Sequence, residues 1–297
     1  MSLRMLTSTL TAGLVLALAV PAFAFAAPTT EVVLESDVTR QAEDTPPTDN
    51  WVVYTRAGTP NTAATFRNGP VPPPLGKGSL ELTTVLGSNK VFAYNFDHVG
   101  KKLSDVSNIS YNTYRSSGDA QQVAALNVVI DFNGPTVDGG FSTLVFEPVY
   151  NTNQGNVVSG VWQDWNASDT GIWWSTRAIN GQCAGATDAC DKTWTEIVAN
   201  NPDATVLGGV GVNQGSGNPG LTTAVDAFTF DEVTYNFEPT ISLSSKDACK
   251  NRGWEKSNSP IYKNQGDCVS SVASNGKSKG NPSVVESHTT TVRGLFN

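Results

Sequence analysis

Residues that support most catalytic and metal-binding sites are scarce in this sequence. It contains two histidines, His98 and His288, in 297 residues. No C-x-x-C pair occurs and neither histidine lies near a cysteine, which disfavours a zinc site. The G-x-S-x-G motif and the E-x-D-x-x-E string of one sandwich glucanase class are also missing. The two histidines exclude most His-dependent triads, except through His98.

Long apolar runs are missing after the first 26 residues. The N-terminal stretch has Arg4, then the uncharged run LTAGLVLALAV, then PAFAFAAP with small residues in A-x-A spacing. This order is typical of a secretory signal peptide, here residues 1–26, with a mature start at Ala27. The alternative is a membrane anchor, but the run is shorter than the ~20 residues that a span needs. We therefore expect a secreted, extracellular protein with no transmembrane span.

Positive charge is scarce in the main body of the chain. Residues 27–245 carry 10 Lys/Arg against 23 Asp/Glu, whereas residues 246–280 carry seven against three. The acidic body argues against nucleic acid as a partner. The small basic segment could contact an anionic cell-wall polymer or a membrane surface, or could simply be solvated.

The four cysteines predict disulfides, because an even count in an exported chain is typical of oxidised pairs. Three pairings are open. The simplest joins neighbours along the sequence, Cys183 with Cys190 and Cys249 with Cys268.

Period-two patterning predicts the fold class, an all-β, jelly-roll-like two-sheet β-sandwich with one short helix. In VAALNVVIDF, for example, Leu126, Val128 and Ile130 would lie on one face of a strand and Asn127 and Asp131 on the other. The helix follows a capping box formed by Thr193 and Glu196, and Asn-Pro at 201–202 ends it. A Pro/Gly loop spans residues 66–79, and VLGGVGV over 206–212 reads as a strand that leads into a Gly/Asn loop.

We divide the chain into five segments. Residues 1–26 are the signal peptide and 27–48 a flexible segment, with one edge strand near Val32–Leu34 as the alternative. The sandwich spans 49–240. A small helical C-terminal unit spans 244–274, and it needs a disulfide because so short a unit builds little core. Residues 275–297 are predicted to be disordered.

Four of the seven tryptophans fall in WQDWNASDTGIWWST, which predicts a hairpin across its turn-rich centre. Successive residues of a strand face opposite sides, so we expect one ring of Trp162 and Trp165, and one of Trp173 and Trp174, to enter the core while the other stays outside. Exposed rings flanked by polar groups would suit a sugar platform, whereas cross-strand tryptophan pairs also stabilise sheets. The candidate ligand-binding residues are Trp162, Trp165, Trp173, Trp174, Gln163, Asp164, Asn166 and Arg177.

Carboxylates on strands supply the remaining candidates. A glycosidase needs two convergent carboxyl groups, and Glu147, Glu81 and Asp131 could provide them on a concave face. Asp226, at the start of the last strand pair, could ligate a structural calcium ion through its oxygens, or could be an ordinary turn or edge residue. No other cofactor is expected, and the balance favours a protein that is not an enzyme.

Three segments carry a family resemblance. VDAFTFDEVTYNFEP resembles the closing strands of jelly-roll carbohydrate-binding modules and of the concanavalin-like group, where an acidic residue often opens the last strand. WQDWNASDTGIWWSTR through LGGVGVNQGSGNPGL is similar to an uncharacterised family of exported bacterial β-sandwich proteins. KDACKNRGWEKSNSPIYKNQGDCVSSV is similar to the Cys-stapled C-terminal motif found on such proteins.

The resemblance and the residues together favour a non-catalytic protein that binds glycan or cell-surface polymer through exposed tryptophans. Polysaccharide or cell-wall polymer is then the expected partner. The alternatives are a glycan-active hydrolase and a structural or adhesive envelope protein whose tryptophans are all in the core.

Overall fold

The predicted fold class is confirmed by a computed structural model, which describes residues 28–56, 63–118 and 121–276. Two mixed β-sheets of seven and eight strands pack face to face as a sandwich. The predicted signal peptide and residues 277–297 of the predicted disordered tail lie outside the described residues.

The seven-stranded sheet, called sheet A, combines strands from both ends of the chain. Its strands are β1 (Thr29–Leu34), β4 (Ala64–Asn68), β5 (Gly78–Thr84), β7 (Ile109–Ser117), β10 (Trp162–Asn166), β14 (Leu221–Phe230) and β15 (Val233–Glu238). The order is β1-β15-β14-β5-β4, and β7 pairs with both β14 and β10. The long strand β14 therefore contacts three partners.

The eight-stranded sheet, called sheet B, contains β2 (Val38–Ala42), β3 (Trp51–Arg56), β6 (Lys90–Asn95), β8 (Ala125–Asp131), β9 (Phe141–Phe146), β11 (Ile172–Ser175), β12 (Lys192–Thr193) and β13 (Thr205–Gln214). Its order is β12-β11-β9-β8-β13-β6-β3-β2. Strand β13 lies near its centre, between β8 and β6.

The segment 27–48, predicted to be flexible, instead contributes one edge strand to each sheet. β1 runs parallel to β15, with Val33 opposite Phe237, and β2 runs parallel to β3. The alternative prediction of a strand near Val32–Leu34 locates β1 but misses β2. The polar sequence of β2 gave no apolar alternation, because the side chains of this edge strand are only partly buried.

Strand alternation fills the space between the sheets as expected. Leu126, Val128 and Ile130 are fully buried on the inner face of β8, and Leu144 and Phe146 are fully buried on β9. Aromatic rings complete the core, and the largest fully buried side chains include Trp165, Trp173, Tyr111, Tyr235, Phe146 and Phe228.

The predicted short helix, α1 (Trp194–Asn200), is confirmed together with its capping box. Thr193 Oγ1 accepts a hydrogen bond from Glu196 N, and the Glu196 carboxylate accepts one from Thr193 N. Trp194 and Ile197 are buried on its inner side. No helix within the described residues is long and apolar enough to cross a membrane.

Both predicted disulfides are present, Cys183–Cys190 and Cys249–Cys268. The second links α2 (Gln265–Ala273) to the turns that precede a 3₁₀ helix at Gly253–Lys256. Cys249, Cys268 and Tyr262 form a small separate core, against which Trp254 packs. The unit, predicted to be helical, has one α-helix in its second half, while its first half forms turns and the 3₁₀ helix.

A buried glutamine connects the two sheets. Gln214, 1% exposed at the end of β13, donates from Nε2 to Thr84 Oγ1 at 3.1 Å and to the carbonyl of Leu221 at 2.9 Å. Its Oε1 accepts from Thr223 Oγ1. One sheet B side chain thus meets the hydrogen-bonding needs of two sheet A strands.

Gln214→Met should destabilise the fold by about 1–3 kcal/mol, because it leaves buried partners without a hydrogen bond. Urea unfolding would measure the loss. Thr222→Val, on the outer face of β14, is the matched control and should change the free energy of unfolding by less than ~1 kcal/mol. Equal effects of the two substitutions would contradict a structural role for the Gln214 bridge.

Candidate functional site

The tryptophan-rich segment does not form a hairpin. β10 pairs with β7 in sheet A, with Trp162 opposite Tyr114, whereas β11 pairs with β9 in sheet B, with Trp174 opposite Val145. The turn-rich residues between them carry the chain from one sheet to the other. Strand parity predicts which side a ring faces, but not which strand becomes its partner.

The parity prediction itself is confirmed. Trp165 and Trp173 are 0% exposed, and their indole N–H groups bond to Thr113 Oγ1 and to the Ala167 carbonyl. Trp162 and Trp174 are partly buried on outer faces. Because these two outer faces belong to opposite sheets, the four tryptophans cannot form a single platform.

The polar candidates of this segment serve mainly to brace the main chain. The Gln163 side chain bonds to Val158 N and to the Asn156 carbonyl. Asn166 Oδ1 accepts from the main chain of the following turn, at Ser168 and Asp169. The hydrogen-bonding groups of the Gln163 and Asn166 side chains are therefore engaged by nearby main-chain groups.

The two remaining polar candidates of the segment lie apart from each other. Arg177 lies over the Phe141 ring, 4.7 Å from its centre, beside sheet B. Asp164 is exposed on the outer face of sheet A, where it is paired with Asn112. Nothing brings the two to a common ligand position.

The three candidate catalytic carboxylates do not converge. Glu81 lies on the outer face of sheet A and pairs with Arg67. Glu147 follows β9 on sheet B, while Asp131 ends β8 at the opposite end of the same ladder. At ~3.4 Å of strand per residue, Glu147 and Asp131 are roughly 20 Å apart along the ladder. Glycosidase carboxyl pairs are about 5–10 Å apart, so this arrangement does not suit a two-carboxylate mechanism.

Both carboxyl oxygens of Asp226 accept hydrogen bonds from the main chain. Its Oδ2 accepts from Leu75 N at 2.8 Å, and its Oδ1 accepts from Phe237 N at 3.3 Å, which fastens the Pro-rich loop to sheet A. Burial raises its pKa to about 6, against the effect of these main-chain hydrogen bonds. No group of three or more Asp, Glu, His or Cys side chains within the described parts of the chain is placed to hold a metal ion.

The outer face of sheet B carries a different group of side chains, which we call the outer-face cluster. Although it faces away from the core, Tyr94 is 8% and Asn127 4% exposed. The rings of Phe92 and Tyr94 lie 5.2 Å apart, and Tyr54 contacts both Tyr94 and Phe96. Its members are Tyr54, Phe92, Tyr94, Phe96, Asn127 and Asn213.

Hydrogen bonds run through this cluster in one direction. Asn213 Nδ2 donates to Asn127 Oδ1, and Asn127 Nδ2 donates to the Tyr94 hydroxyl at 2.8 Å. The Tyr94 oxygen therefore accepts, and its own proton is left to donate. Among the residues that the structure describes, no acceptor for that proton is found. Burial raises the pKa of Tyr94, so the hydroxyl keeps its proton at neutral pH.

Glycines in β13 allow Tyr94 to reach Asn127 across an intervening strand. A Cβ on Gly209 would lie 2.6 Å from Tyr94 ring atoms, and one on Gly211 would lie 2.1 Å from the Ala93 carbonyl. A Cβ on Gly208 would meet Val129 at 3.0 Å. The VLGGVGV segment thus provides the floor beneath the ring.

Polar and aromatic groups border the cluster on two sides, and we call Lys90, Glu147 and Trp174 the rim. Trp174 Nε1 donates to Glu147 Oε2 at 3.0 Å. Burial raises the Glu147 pKa, while the Trp174 hydrogen bond and Lys90 oppose that shift. Lys90 Nζ lies 4.6 Å from the centre of the Phe92 ring. The face therefore offers aromatic surfaces, a hydroxyl donor, an ammonium group and a carboxyl group together.

Comparisons with known proteins found no matching family model, curated protein or solved structure. The family resemblance of the three sequence segments therefore stays a prediction.

Alternation along VFAYNF puts Phe92, Tyr94 and Phe96 on one face of a strand, but none of the three was among the predicted ligand-binding residues. The signal lay in the combination of an all-aromatic strand face with the glycines of 208–211. Both features break the ordinary pattern of an outer face, which is polar and carries side chains.

Trp173→Ala should lower the free energy of unfolding by about 3–5 kcal/mol, because it empties a fully enclosed site beside Phe146 and Trp194. Trp174→Ala removes a partly buried ring one residue away and should have a clearly smaller effect. Chemical denaturation of both variants tests the assignment. A larger loss of stability for Trp174→Ala than for Trp173→Ala would contradict the assignment of Trp173 to the core and Trp174 to the outer face.

Asp226→Asn should change the pH dependence of stability. The folded-state pKa of Asp226 is raised from 3.8 to about 6, so folding takes up a proton in this range and stability falls as pH rises through it. Relative to the variant, the wild type should be most stable near pH 4 and reach a lower plateau above about pH 6. Urea unfolding at several pH values measures this difference. A difference that stays constant or increases with pH would contradict the raised pKa.

Proposed function

We propose that this protein is a secreted, non-catalytic binder of glycan or cell-surface polymer, and that it binds at the outer-face cluster of sheet B. The observation that carries the proposal is the Tyr94 hydroxyl, which Asn127 and Asn213 orient as a donor and which has no acceptor within residues 28–56, 63–118 and 121–276. Buried polar groups in folded proteins are almost always hydrogen-bonded, so an aligned, unused donor suits a ligand oxygen.

The neighbouring rings support a sugar as the ligand. The rings of Phe92, Phe96 and Tyr54 lie beside amide and hydroxyl groups, with Phe96 the least buried of the three, and sugar rings combine C–H-rich faces with hydroxyl edges. Ligand sites commonly combine aromatic side chains with a few fixed polar groups. The N-terminal sequence pattern and the two disulfides support secretion.

The proposal replaces the tryptophan platform with a site on one sheet. Trp174 contributes at its rim, whereas Trp162 lies on the other sheet, where its indole N–H is used by the Pro70 carbonyl. The dispersed carboxylates give no support to the hydrolase alternative.

Tyr94→Phe should weaken binding roughly threefold to tenfold, because one hydrogen bond contributes about 0.5–1.5 kcal/mol. The ligand is first identified by affinity electrophoresis of the mature protein through gels that contain individual neutral and acidic polysaccharides. Tyr114→Phe removes a hydroxyl from the outer face of sheet A and serves as the matched control, with no expected change in affinity.

Thermal melts of each variant separate lost binding from lost folding. Trp174→Phe provides a second test at the rim, because it removes the hydrogen bond to Glu147 and keeps an aromatic ring. Absence of binding across the whole panel would overturn the proposal, as would equal affinities of Tyr94→Phe and Tyr114→Phe for a polymer that the wild type binds.

A further inference from the structure

Lys90 is a half-buried cation that forms no direct ion pair in the described parts of the chain. Its side-chain stem lies against Gly215, which follows β13, since a Cβ there would meet Lys90 Cε at 3.2 Å. Its ammonium group lies over Phe92 and makes none of the ion pairs found within 4.0 Å.

The charged groups that face Lys90 are engaged elsewhere. Glu43 pairs with Arg56, and Glu147 Oε2 is bound by Trp174. Burial lowers the Lys90 pKa and the nearby Arg56 lowers it further, while Glu43 and Glu147 oppose that shift. A partly desolvated ammonium group that no carboxylate contacts directly is unfavourable, and a bound anion would offset that penalty.

We propose that Lys90 binds the carboxylate of an acidic polysaccharide at the edge of the outer-face cluster, so that the protein selects polymers that contain uronic acid. This inference rests on the proposed function and adds the ligand class. The carboxylate would contact Lys90 beside Phe92, and a ring oxygen or hydroxyl of the sugar would accept from Tyr94.

A carboxylate suits this position better than a phosphate. Phosphate sites in proteins commonly gather several donors, from arginine forks or from the N-terminus of a helix. Here a single ammonium group is available, since Arg56 is held by Glu43, and the surrounding body of the protein is acidic. One singly charged carboxylate matches one ammonium group.

The test compares polygalacturonate with its methyl-esterified form, which keeps the same sugar and removes the charge. Wild-type protein should bind the acid roughly tenfold more tightly than the ester, a difference of about 1.4 kcal/mol. Lys90→Gln should lose this preference, and Lys90→Arg should retain most of it. Lys77→Gln removes an exposed charge from the loop over sheet A and should leave the preference unchanged.

Each outcome bears on the inference, and the wild-type comparison does so without any variant. Equal binding of acid and ester, or binding of neutral polysaccharides alone, overturns the role of Lys90 and leaves the proposed function standing. Binding of poly(glycerol phosphate) without binding of polygalacturonate overturns the choice of carboxylate. Failure to bind any polysaccharide overturns the proposed function together with the inference.

Discussion

The main chain needs hydrogen-bond partners where it leaves one sheet for the other, and the placement of the tryptophans depends on how this need is met. Asn151, fully buried, bonds to the carbonyls of Glu147 and Ile172 and accepts from Ile172 N. Gln154 bonds to both main-chain groups of Asn166. The side chains of Asn151 and Gln154 thus supply the hydrogen bonds that a neighbouring strand would otherwise make to the main chain. They allow β10 to join sheet A and β11 to join sheet B within a few residues, which separates Trp162 from Trp174.

The outer-face cluster depends on a second local condition, the lack of side chains at Gly208, Gly209 and Gly211 of β13. Tyrosine is long enough to cross one strand only if nothing rises beneath its ring. Gly209 provides that space, and the hydroxyl then meets Asn127 on β8. The aromatic face of β6, the glycines of β13 and Asn127 of β8 thus form one polar and aromatic surface. None of the three would form this surface alone.

Local features of the structure could be predicted from the sequence, while the pairing of distant segments could not. Alternation placed Leu126 and Val128 inside, the Thr193–Glu196 pair located α1, and the simplest of the three open cysteine pairings is the one present. These features involve residues that are close together in the sequence. The partner of β10, the role of Asp226 and the parallel strand β2 depend on residues that are distant in sequence, and nothing in the local pattern specifies them.

The parallel pairing of β1 with β15 joins the beginning of the described chain to the end of the sandwich. Thr29 donates to the carbonyl of Glu232, 203 residues away. During synthesis the N-terminal strand is made first and its partner almost last. Until then sheet A keeps a bare edge that could pair with another chain. The chain therefore cannot complete its sandwich from the N-terminus onward, and its yield should depend on protection of this edge from aggregation as much as on its final stability.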